Sequence, residues 1–302
     1  MTKPTIAVFG ATGSQGGSVV RHLKRHGAYR VRALARRPEA YDGPADEVVR
    51  ADLNAEDTLQ GALQGAHGVF LVTNFWEKGT DEIQQAKVAL RAARQAGVEH
   101  LIWSSLPNVD EISAGRWKVP HFTDKARIDA TVREAGFPRF TIVQPPFYFE
   151  NLLGMMGPQP MQDGRKGWTL PIDPDARVIH MGAISEFGSL VAGAFARPEQ
   201  SAGRTLAMAA GRYSFADVIA AYAATTGESL GFARVPHEAF SGFFPGAEEI
   251  SQMLGYFEDH TYMGPDSENR LAEARSVALT PFTPLEEWLS SALSSDPANR
   301  QD

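Results

Sequence analysis

At 302 residues, with 43% hydrophobic and 22% charged side chains, the chain can build one large domain, or a large one with a smaller companion, around a core able to shape a ligand pocket. A formal charge of −7 gives no basic surface for direct nucleic-acid binding, and the lack of cysteine removes disulfides, thiolate nucleophiles and cysteine metal sites. No apolar run reaches the roughly 20 residues that span a bilayer, and the start "MTKPTIAVFG" has no leader pattern, so a cytoplasmic protein without a membrane partner is expected.

Through about residue 146, short apolar runs alternate with longer helical patterns, which predicts βαβ units and a parallel sheet covered on both faces. Strands are expected at Thr5 to Phe9, Tyr29 to Ala35, Glu47 to Ala51, Gly68 to Thr73, His100 to Ser104 and Phe140 to Gln144. Helices fall near 14–26, 55–64, 81–96 and 120–135. Thr80 or Asp81 can accept the first free amides of the third helix, and Gly27, Gly97 and Gly136 follow helices where a left-handed residue is needed. The expected fold is a Rossmann-type doubly wound α/β sheet over residues 1–150. Residues 151–302 form a smaller α+β cap, with room for the two to interleave.

After Pro145 the alternation stops, and Gly, Pro and Asp cluster in "GMMGPQPMQDGRKGWTLPIDPD". Helical patterns return at "SEFGSLVAGAFA", with Ser185 as N-cap and Phe187, Leu190, Val191 and Phe195 as an apolar stripe, and at "SFADVIAAYAATTG", begun by Ser214 and ended by Gly227. Aromatics in "FSGFFPGAEEISQMLGYFEDHTYMG" are enough to wall a pocket or to fill the cap's own core, packing being the commoner use of large aromatics. Only "SSDPANRQD" reads as a frayed tail.

Gly10, Gly13 and Gly16 form G-x-x-G-x-x-G between the first strand and the first helix. Gly10 permits a sharp exit from the strand, Gly13 lets backbone approach a pyrophosphate, and Gly16 allows close helix-to-strand packing, while the helix N-terminus offers free amides to anionic oxygen. About 20 residues on, where an acid would grip the ribose 2′-hydroxyl of NAD, "ALARRP" places Arg36 and Arg37. A guanidinium suits a 2′-phosphate, so NADP(H) is the expected cofactor. Asp52, ending the third strand, is either an adenine contact or a helix-capping carboxylate.

Ligands in open α/β sheets lie beyond the carboxyl ends of the strands, which points to Thr73 and Asn74, to Ser104 and to the loop after Gln144 that begins with Pro145 and Pro146. The helix "PHFTDKARIDATVREAG" sets His121, Lys125, Ile128 and Val132 on one face, so Lys125 shares a stripe with buried positions and its ammonium is expected to reach a specific partner. His22 and His26, the nearest thing to a metal pair, read as surface residues. No third ligand follows them at ligand spacing, so no metal is expected.

Together, "FGATGSQGGSVV", "VTNFWE", "HFTDK" and "PPFYFENLL" resemble the NmrA-like group of the short-chain dehydrogenase/reductase superfamily, along most of the chain. The resemblance implies an NADP(H)-binding fold of the atypical or extended type, in a family that includes fungal regulators of nitrogen metabolism, a human NADPH sensor and bacterial relatives. It also implies dinucleotide contacts from Gly10, Thr12, Gly13, Gln15 and Gly16, a 2′-phosphate contact from Arg36, and a nicotinamide-ribose contact from Lys125. Active members of the superfamily pair a tyrosine with a lysine four residues later, and here the tyrosine position is His121. His121, Lys125 or the nearby Tyr148 are then the candidates for proton transfer. Two functions stay open: a redox-sensing regulator with a protein partner or homodimer, and an NADPH-dependent reductase of a small carbonyl, quinone or similar acceptor.

Overall fold

The computed structural model describes residues 2–294 except Lys78 and Met155, so all but the first residue of the expected tail lies outside the described residues. The first half follows the expected alternation: β1 Thr5–Val8, α1 Ser14–His26, β2 Arg30–Ala35, β3 Glu47–Arg50, α2 Asp57–Leu63, β4 Ala66–Leu71, α3 Glu82–Gln95, β5 His100–Ser104, a single turn α4 Val109–Ile112, α5 Pro120–Glu134 and β6 Arg139–Gln144. Local chemistry sets the ends. The Asp81 carboxylate accepts the Gln84 amide at 2.9 Å to start α3, and Gly27 takes a left-handed φ of 78° to end α1.

The rest of the chain comprises β7 Phe147–Tyr148, β8 Gln159–Pro160, β9 Lys166–Leu170, β10 Ile179–Gly182, α6 Phe187–Ala196, α7 Pro198–Ser201, β11 Thr205–Ala207, β12 Gly211–Tyr213, α8 Phe215–Thr226, β13 Gly231–Arg234, α9 His237–Ser241, α10 Ala247–His260, α11 Ser267–Val277 and α12 Leu285–Ser294. The main sheet has seven strands in the order β11-β6-β5-β4-β1-β2-β3, every neighbour parallel. Its strand order reverses between β1 and β4, which opens the crevice where ligands of doubly wound sheets bind. Two three-stranded sheets, β12-β10-β7 and β13-β9-β8, build the cap.

The second half does not stay apart from the first. Strand β11 extends the main sheet beside β6, α11 packs on β11, and α6 lies against α1 on the sheet face. Helix α6 is buried on all sides from Phe187 to Phe195 rather than along one stripe, the behaviour of an interior helix. Full burial of Phe187, Leu190 and Val191 contributes roughly 1.5–3 kcal/mol each. Contact with α1 is close enough that a Cβ on Gly188 would fall 2.2 Å from the Ser18 carbonyl oxygen. Two local expectations change here. Ser185 is not the N-cap: Ile184–Glu186 form a 3₁₀ turn, the helix starts at Phe187, and the Ser185 carbonyl instead accepts the Ser18 hydroxyl at 2.6 Å. His22 is not on the surface, because α6 covers it, and its Nδ1–H donates to the Ser18 carbonyl at 3.0 Å.

Helix α8 has the predicted ends. Ser214 and Asp217 form a reciprocal capping box, and Gly227 closes the helix in the left-handed region. The aromatic-rich segment mostly fills the cap: Phe240, Tyr256, Phe257 and Tyr262 are buried, while Phe243 and Phe244 stay exposed. Phe122 of α5 enters that cluster, 5.3 Å from the Tyr262 ring and 6.2 Å from the Phe257 ring. The contact fixes the start of α5, and with it His121, against the cap.

Candidate functional site

The loop between β1 and α1 turns sharply at Gly10, whose φ is 63°, and the Gly13 amide donates to the Gly10 carbonyl at 2.9 Å. A Cβ on Gly16 would lie 2.2 Å from the Gly10 carbonyl oxygen and 2.7 Å from that of Phe9, so only glycine lets α1 start this close to the strand. No side chain caps α1 and no acidic residue occupies its first turn, so its leading amides are left for an outside acceptor. Thr12, Gly13, Gly17, Arg21 and Tyr41 line a groove of about 180 Å³ beside this loop. An uncapped helix N-terminus and a glycine loop beside a groove fit a dinucleotide pyrophosphate.

Arg36 and Arg37 follow β2 as expected, but Arg36 is not free. It forms an ion pair with Glu77 from the connection between β4 and α3, and Arg37 is exposed. Asp52 caps no helix. Its carboxylate accepts the Asn54 amide at 3.0 Å in a local turn, and α2 starts without a side-chain cap.

Beyond the carboxyl ends of β4 and β5, the structure brings together residues that the sequence could only name singly. Lys125 is enclosed, and its ammonium donates to the Thr73 carbonyl at 2.8 Å, the Thr73 hydroxyl at 3.1 Å and Glu82 Oε1 at 2.6 Å. The Thr73 hydroxyl in turn donates to Glu82 Oε1 at 2.6 Å, and Glu82 Oε2 is buried without a hydrogen bond. All three ammonium protons are therefore engaged. Burial lowers the Lys125 pKa, opposed by the charge and hydrogen bond of Glu82. Asn74 is exposed, its side-chain oxygen accepting the Trp76 amide at 3.2 Å. The Ser104 hydroxyl donates to Gln15 Oε1 at 2.7 Å, tying the end of β5 to the first turn of α1 across the crevice. Pro146 is buried between β6 and β7 against Gly182. The Tyr148 hydroxyl is buried near Gln15 and Tyr262 without a well-formed hydrogen bond, and burial raises it well above the usual phenol range.

His121 points to the cap. Its ring pairs with Glu249 of α10, whose carboxylate also accepts the His121 amide at 3.2 Å and so serves the otherwise uncapped start of α5. Burial raises the Glu249 carboxyl, but the hydrogen bonds and charge of His121 outweigh it and hold the carboxyl below its usual value. Phe75 and Trp76 cover the imidazole, with ring centroids at 5.8 and 5.1 Å. The roles of Glu82 and Glu249 are not visible in the sequence, because their partners lie 43 and 128 residues away. The only available signal was Glu82 in the first turn of a helix that starts beyond β4. Among the described residues no group of three or more His, Asp or Glu could hold a metal ion.

Asp129, one turn beyond Lys125, accepts the Trp103 indole N–H at 3.0 Å. Burial lifts its pKa to about 7, against hydrogen bonds from Ser105 and Trp103 that lower it. A raised carboxyl stabilises the fold at low pH, and that contribution is lost as pH rises from about 4 to about 7. His100 and His180, held at about 4 by burial, act the other way: their contribution is present above about pH 6.5 and lost as pH falls to about 4. Asp129→Asn keeps the acceptor and removes the charge. It is expected to raise stability at about pH 7.5 relative to about pH 5, read by urea unfolding at both; an unchanged difference would contradict it.

The parallel seven-stranded sheet, its switch-point crevice and the glycine loop define a Rossmann-type protein with an NAD(P)-binding fold. The chain belongs to the NmrA-like family, whose model matches residues 2–289. The NmrA-like family domain-containing oxidoreductase FrzB of Cladobotryum sp. is 32% identical over 280 residues, covering 83% of each chain. The crystal structure of NmrA, a negative transcriptional regulator, in complex with NADP has a TM-score of 0.81 at 24% identity, covering 100% of this chain and 99% of that one. An NADPH-dependent quinone oxidoreductase from Escherichia coli, complexed with NADPH, has a TM-score of 0.76 at 20% identity, covering 95% and 99%. Among the described residues no helix is long and apolar enough to cross a membrane.

Proposed function

We propose that this chain is a cytoplasmic NADP(H)-binding protein that senses the redox state of the cofactor and passes it to a protein partner or to a second copy of itself. Gly10, Gly13 and Gly16 with the first turn of α1 would hold the pyrophosphate, the arginines near the end of β2 would favour the 2′-phosphate, and Thr73, Asn74, Ser104 and Pro146 would border the nicotinamide end. When bound, the nicotinamide ring supplies or takes a hydride. The observation that carries the sensing reading is the engagement of Lys125: its three N–H groups are spent on Thr73 and Glu82. The usual tyrosine is replaced by His121, and the Tyr148 hydroxyl, raised by burial, is a poor acid at neutral pH.

A second reading has its own support. His121 held by the Glu249 carboxylate is an orienting pair of the kind used in general acid catalysis, and the relative FrzB is named an oxidoreductase. A screen of NADPH oxidation with quinones and aldehydes separates the two. Sensing predicts no turnover above background and a change in oligomer size or partner binding between NADP⁺ and NADPH. Turnover that falls at least about tenfold in His121→Asn, or about 1.4 kcal/mol, would replace sensing with reduction.

A further inference from the structure

Arg36 is drawn into an exposed ion pair with Glu77, and neither Arg36 nor Arg37 lines the groove beside the glycine loop. The cation that does line it is Arg21, on α1 two turns beyond the loop. Its Nη1 lies 3.3 Å from where a Cβ of Gly17 would stand, so the guanidinium folds back along the helix toward the loop, the direction long helical side chains favour. Among the described residues Arg21 has no ion-pair partner. Thr12 and Gly13 of the loop share the groove lining with Tyr41 and Asp42 from the connection after β2, so Arg21 is its one cation and Asp42 its one carboxylate.

We propose that Arg21 is a specificity-determining residue that selects NADP(H) over NAD(H) by meeting the 2′-phosphate in this groove. The inference rests on the NADP(H)-binding reading. A guanidinium offers a phosphate two parallel charge-assisted hydrogen bonds, whereas the 2′-hydroxyl of NAD(H) would gain little from it. Arg36 contributes less, because a phosphate must first displace Glu77.

Calorimetric titration of the full chain with NADP⁺ and with NAD⁺ tests this, comparing the parent with Arg21→Gln, Arg36→Gln and Glu77→Gln. Arg21→Gln should weaken NADP⁺ at least about tenfold and NAD⁺ less than about twofold, a larger loss of preference than Arg36→Gln gives. Glu77→Gln should tighten NADP⁺ about threefold by freeing Arg36. Arg21→Gln weakening both cofactors equally, or neither, would overturn the assignment. Arg21 is exposed, so melting temperature serves as the control for folding, and Arg21→Lys should keep part of the preference. A parent chain that binds neither cofactor would overturn the underlying reading instead.

Discussion

Lys125→Met is expected to destabilise the fold by roughly 3–5 kcal/mol, because it strands the Glu82 carboxylate in the interior with only the Thr73 hydroxyl to serve it. Glu82→Leu should cost about as much, by leaving an ammonium buried without its counter-charge. For a chain of this size either loss lowers the melting midpoint by about 5–8 °C. The double variant should recover most of it, because removing both charges also removes their desolvation cost. Single variants within about 1 kcal/mol of the parent in urea unfolding would show that the pair is not a buried ionic contact. The pair matters to function because Thr73 and Glu82 lie at the two ends of the connection that carries Phe75, Trp76 and Glu77. Through Lys125, α5 grips both ends of the segment that covers His121 and pairs with Arg36.

Gly16→Ala should lower NADP(H) affinity at least about a hundredfold, or about 2.7 kcal/mol. It should also lower stability by about 1–3 kcal/mol, since its Cβ would overlap the backbone of Gly10 and Phe9. Gly13→Ala makes the contrast. Its Cβ would approach the Gly10 carbonyl oxygen to 3.3 Å, a tight contact but far from the 2.2 Å overlap at Gly16, so the fold should lose less while the methyl group obstructs the pyrophosphate. Calorimetry and thermal melting on both variants check this. Full affinity in Gly16→Ala would remove the glycine loop from the binding site, and equal stability losses in the two variants would contradict their assigned roles.

What the sequence made legible was local. The main-sheet strands through β6 came out within one or two residues of their expected ends, because each carries a short apolar stretch between turn or helical segments. The glycine loop and the Ser214 start of α8 were legible because their partners lie within a few residues; the reciprocal bond from Asp217 came from the structure. The three residues of β11 carry no periodicity, so the seventh strand could be found only through its pairing with β6. Helix α6 was expected to bury one stripe, yet "FGSLVAGAFA" is apolar on nearly every face, as an interior helix is; that its neighbour is α1, and that it covers His22, depends on tertiary placement. The expectation that Lys125 reaches a specific partner came from its place on a buried stripe. That the partner is Glu82, and that Arg36 and His121 meet Glu77 and Glu249, depends on tertiary placement that no spacing rule encodes.

The central claim, an NADP(H) site at the glycine loop, is tested most directly by titrating NADPH and NADH into the purified chain by calorimetry. Both should bind, with NADPH at least about tenfold tighter, equivalent to roughly 1.4 kcal/mol. Equal affinities, or no binding of NADPH, would contradict it.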